Sequence, residues 1–70
     1  DALYYEELAR GFQAAVSALP EGQRSVIVLR WQYHFSYQEI AAALNLVPKS
    51  VETQLGRAIK QIRQQLEHFR

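Results

Sequence analysis

The stretch from Ser36 to Arg63, SYQEIAAALNLVPKSVETQLGRAIKQIR, leaves few folds open to this chain. Ser36 is a good helix N-cap, and Glu39 three residues later completes a capping box. Ile40, Ala41 and Leu44 then recur at helical spacing. Asn45 tolerates the left-handed conformation in which a chain leaves a helix, and Leu46 can then drop back into the core. Pro48 suits the first turn of another helix. Beyond it Val51, Leu55, Ala58, Ile62, Leu66 and Phe69 return every three or four residues. Two helices joined by a tight turn, the second long and basic, have the grammar of a helix–turn–helix.

Seventy residues make one small domain, too short for two cores. A chain of that size buries roughly 60% of its unfolded surface, so its stability is expected to be modest. Apolar content of 49% with few glycines and prolines favours a folded helical chain over disorder. The absence of cysteine excludes a disulfide framework and a thiolate site, and fits a reducing compartment. No apolar run is long enough for a membrane span, and no signal peptide is visible. With no methionine and Asp1 at its start, the chain is expected to be a piece of a longer protein.

The upstream part supplies two further helices. Leu8, Phe12, Ala15 or Val16, and Leu19 form one stripe of a lead-in helix over residues 3–18. Tyr4 and Tyr5 are expected to pack or to sit at a frayed end. Leu19-Pro20 breaks the chain, because the residue before proline avoids the helical region. The run SVIVLRWQY suits either a buried strand or a helix. A lone strand would leave its backbone unpaired, so a helix over 20–33 is expected. Trp31 is expected to anchor the core, and Tyr33, His34 and Phe35 to form the connection to the cap at Ser36.

No catalytic set is recognisable. His34 and His68 are the two histidines, and nothing brings them together. There is no Ser/His/Asp pattern, no zinc spacing and no phosphate-binding glycine loop, so neither an enzyme nor a cofactor is expected. Charge is informative instead. Residues 1–44 carry three arginines against five carboxylates, whereas residues 45–70 carry five cations against two carboxylates. A polyanion is therefore a plausible partner for the last helix alone, although a solvated basic helix has the same composition.

Advancing about 100° per residue from Val51 sets Leu55, Ala58, Ile62, Leu66 and Phe69 on its side. Lys49, Thr53, Arg57, Lys60 and Gln64 point the other way, with Ser50 and Gly56 alongside and Glu52 and Gln54 on the flanks. Short polar side chains thus precede cations on the outward face. A helix in the major groove uses its first residues on base edges and its cations on phosphates. Gly56 can allow a close backbone approach there, or is simply a tolerated glycine.

The ordered set Leu19-Pro20, Arg24, Val28-Leu29-Arg30, Ser36-Tyr37-Gln38-Glu39-Ile40-Ala41, Leu44, Lys49-Ser50-Val51-Glu52, Leu55, Arg57-Ala58, Lys60 and Arg63 resembles region 4 of bacterial RNA polymerase sigma factors, nearest the extracytoplasmic-function type. The likeness covers about residues 15–66. It implies an all-α domain of four helices, winged-helix-like but without a wing, with the helix–turn–helix over 36–68. It implies a cytoplasmic bacterial protein that binds the minus-35 promoter element as duplex DNA. The partners it implies are the β-subunit flap of the polymerase core and an anti-sigma factor, with no membrane.

Carried over residue by residue, the DNA-binding set is Tyr37, Lys49, Ser50, Glu52, Thr53, Gln54, Arg57 and Lys60. Lys49 and Arg57 are assigned mainly to phosphate or guanine, Thr53 and Gln54 to base edges, and the Tyr37 hydroxyl to a phosphate. Departures from the family pattern are His34 and Asn45 where glycine is common, Val47 where a Ser or Thr cap is common, and Glu52 and Gln54 where cations are common. Two other readings share parts of the pattern: a response-regulator-type effector domain, and an interaction module whose basic helix meets an acidic protein or membrane surface.

Overall fold

The computed structural model describes residues 1–67. Four helices follow one another: α1 (Ala2–Ser17), α2 (Glu21–Trp31), α3 (Tyr37–Leu44) and α4 (Pro48–Leu66). Phe69 and the expected helix end at residue 68 lie outside the described residues. No strand occurs among the described residues, and Val26–Val28 lie within α2. The helical reading of the β-branched run is therefore the right one.

Each boundary has a local cause. Asp1 caps α1, its Oδ1 accepting from the Leu3 amide at 2.8 Å. At the other end Arg24 reaches back, its Nη1 donating to the carbonyls of Leu19 at 3.3 Å and Ser17 at 3.5 Å. A cation on those orphan carbonyls closes the α1–α2 corner. Ser36 and Glu39 form the reciprocal capping box: the Glu39 amide donates to Ser36 Oγ at 3.0 Å, and the Ser36 amide to Glu39 Oε1 at 2.7 Å. His34 (φ 58°) and Asn45 (φ 56°) occupy the left-handed region at the two turns flanking α3. Both are residues that tolerate it. The Leu46 amide then donates to the Ala41 carbonyl at 2.8 Å and seals the turn.

α4 is the hub, packing on each of the other three helices. Val26 of α2, Ile40 of α3 and Val51 of α4 are wholly buried at the centre. Leu55, Ala58 and Ile62 continue the seam along α4 towards Ala15, Val16 and Leu19. Each valine, leucine or isoleucine so buried contributes about 1.5–3 kcal/mol relative to exposure.

Two expectations need correction. Trp31 is not a core anchor: it is 52% exposed. It is the last residue of α2, and its ring lies on the rim against Phe12, centroids 4.7 Å apart. Leu46 does not return to the core: it is 38% exposed. The turn is closed by its backbone amide, which leaves the side chain outside.

Candidate nucleic-acid interface

The burial of Val51, Leu55, Ala58 and Ile62 fixes the rotation of α4, so the opposite face must point to solvent. Lys49, Thr53, Arg57 and Lys60 are all exposed there. Lys49, Ser50, Thr53, Gln54 and Arg57 together line a shallow hollow of about 190 Å³. Five of the eight expected site residues thus converge. Glu52 and Lys60 lie on the same helix but outside the hollow, and Tyr37 stands at the start of α3.

The electrostatics of this face are mixed. Lys49 Nζ sits 3.8 Å from Glu52 Oε2, both side chains well exposed. Such an exposed pair is weak and screened by salt, so a phosphate can displace the carboxylate. Val47, the N-cap of α4, makes no side-chain cap bond, and Pro48 occupies the first turn. Gly56 faces open space: a Cβ there would meet nothing within 4 Å among the described residues. Glu39, in the first turn of α3, has its pKa lowered. The bond from the Ser36 amide is the larger cause and the Ser36 side chain the second.

Gln54 and Tyr37 are less free than a wheel suggests. Gln54 is half-buried, and its Nε2 lies 3.4 Å from where a Cβ on Gly22 would stand. Tyr37 carries the Arg30 guanidinium 5.3 Å from its ring centre. Arg30 is a residue that sequence reasoning did not place in the site. It joins two helices there, since its Nη1 also donates to the Phe35 carbonyl at 2.9 Å. The one available signal was its place in the Val28-Leu29-Arg30 piece. Periodicity cannot carry a pairing across an irregular connection.

A second concavity, about 380 Å³, is lined by Tyr5, Leu8, Ala9, Phe12, Gln13, Trp31 and Leu66. It is apolar and lies at the far end of α4. Leu66 is sixteen helical steps beyond Ser50, about 24 Å of rise.

Comparison with known proteins decides the family. Residues 9–62 match the family described as Sigma-70, region 4. This chain belongs to the sigma-70 region 4 family. It is also 42% identical over 53 residues to an RNA polymerase sigma-E factor of Streptomyces antibioticus, across 76% of this chain and 29% of that protein. The chain therefore spans less than a third of that curated relative. The name of that relative agrees with the extracytoplasmic-function likeness seen in the sequence. No solved structure matches. A sigma region 4 helix–turn–helix places the chain among the DNA-binding domains of transcription initiation, and no described helix is long and apolar enough to cross a membrane.

Proposed function

We propose that α4 enters the major groove of promoter duplex DNA and recognises a minus-35 element, as part of a sigma factor that directs RNA polymerase to its start sites. The observation that carries this is the pairing of a buried seam on α4 with an opposite face of Lys49, Thr53, Arg57 and Lys60. In this reading Lys49, Arg57 and Lys60 meet phosphates, Arg57 being also able to reach guanine. Ser50 and Thr53 face base edges, and Gln54 borders them. Glu52 either accepts from a cytosine amino group or repels phosphate, which makes it a discriminating contact. The Tyr37 hydroxyl, with Arg30 over its ring, reaches a phosphate of the flanking backbone.

The polymerase flap and an anti-sigma factor are the protein partners proposed with this reading. The apolar concavity between α1, Trp31 and Leu66 supports a protein contact that leaves the DNA face open, because it lies at the other end of α4. The test is selection from random duplexes by the chain and by Thr53→Ala. A shared motif that shifts at one or two base pairs in the variant supports the reading. Equal recovery of all sequences by the wild-type chain contradicts it.

A further inference from the structure

Gln54 does not stand freely on the outer face of α4. Its carboxamide lies over the first turn of α2, with Nε2 at 3.4 Å and Cδ at 3.9 Å from the position of a Cβ on Gly22. Gln54 is half-buried as a result, while its neighbours Glu52 and Thr53 are exposed. The space it occupies exists because residue 22 carries no bulky side chain. Gly22 is not there for its backbone: no glycine has a positive φ, and Gly22 lies in the first turn of α2, whose backbone does not require glycine.

We propose that Gly22 is a specificity-setting residue that acts through Gln54: by leaving a seat on α2 for its carboxamide, Gly22 keeps position 54 from reading a base. This rests on the reading of α4 as the recognition helix. A glutamine on such a helix can bond adenine at N6 and N7 with both ends of its amide. That bidentate geometry requires an extended side chain aimed into the groove. An amide folded onto the neighbouring helix does not present it. The base pair facing position 54 is then read loosely, and sequence choice falls to Ser50, Glu52 and Thr53. The size of the side chain at 22 controls the outcome. An alanine Cβ at 3.4 Å makes ordinary van der Waals contact and leaves Gln54 seated. A leucine fills the seat and lifts the amide off α2, so that it reaches further out from the hollow that Gln54 already lines with Thr53 and Arg57.

The test is selection from random duplexes by the wild-type chain, Gln54→Ala, Gly22→Ala, Gly22→Leu and Gly22→Leu/Gln54→Ala, with helicity of each checked by circular dichroism. The expected result is the same motif for wild type, Gln54→Ala and Gly22→Ala. Gly22→Leu should gain a preference of about tenfold at one further base pair, the worth of a bidentate contact, and the double variant should lose it. Gly22→Ala separates displacement of Gln54 from mere stabilisation of α2, and serves with side-chain amide NMR should leucine unfold the chain. A nuclear Overhauser contact from the Gln54 amide to the Gly22 α-protons is expected in the free chain. Its absence overturns the proposal. So does a Gln54→Ala variant that alone changes the motif, or a Gly22→Leu preference that survives removal of Gln54. Failure of the wild-type chain to select any motif sinks the recognition-helix reading itself, and the NMR contact tells the two failures apart.

Discussion

The guanidinium of Arg30 lies 5.3 Å from the centre of the Tyr37 ring and is steadied by a 2.9 Å bond from its Nη1 to the Phe35 carbonyl. α2 is thereby tied to the first residue of α3 across an irregular connection. A cation over an aromatic face at an exposed site is worth about 0.5–1 kcal/mol. A double-mutant cycle of Arg30→Met and Tyr37→Leu, read by urea unfolding, should return a coupling of that size. Strict additivity would show that the two side chains do not interact.

The capping box on α3 ties stability to acid pH through Glu39. Its folded pKa is lowered by the Ser36 amide first and the Ser36 side chain second. The sign follows from proton binding: the unfolded chain takes up the proton at a higher pH than the folded one. The contribution is thus complete above the ordinary glutamate value and disappears as pH falls through the lowered value. Glu39→Gln keeps an acceptor but no charge, so its stability deficit should vanish over that window. Ser36→Ala should cost about 1 kcal/mol near neutrality. A deficit for Glu39→Gln that is constant down to low pH would count against the box.

Gln23 is buried in α2, and its Oε1 has no hydrogen-bond partner among the described residues. A buried acceptor left unpaired costs about 1–3 kcal/mol. Gln23→Met, similar in length and apolar, should therefore leave the chain as stable or raise its unfolding free energy by about 1 kcal/mol. A loss larger than that would reveal a partner for Oε1, such as bound water.

Val47 begins α4 without a side-chain cap. Val47→Ser supplies the missing acceptor and should add about 1 kcal/mol, or roughly 4–8 °C in melting temperature for a domain of this size. No change in melting temperature would mean that the first turn of α4 is already satisfied by solvent.

Much of this was legible beforehand, for definite reasons. The α4 seam from Val51 to Ile62 could be seen because burial on one helix face imposes a 3.6-residue period. The box at Ser36 and Glu39 and the left-handed turn at Asn45 could be seen because they are local chemistry. Trp31 misled because a large aromatic ring predicts burial on average, whereas here the helix ends at that residue and its ring rests on the rim against Phe12. Leu46 misled because its amide, not its side chain, closes the turn. The seat of Gln54 on Gly22 and the stacking of Arg30 on Tyr37 were invisible, since each depends on how separate helices approach. No periodicity within one helix contains that information.

The central claim is that the outer face of α4 meets the backbone of a double strand. The most direct test is the salt dependence of binding to a duplex selected by the chain, measured for wild type and Arg57→Ala. Three or four cations on phosphates give a log–log slope of about −3 to −4. Arg57→Ala should weaken all sequences alike and flatten the slope by about 1. A wild-type slope near zero, or one that Arg57→Ala leaves unchanged, would contradict the account.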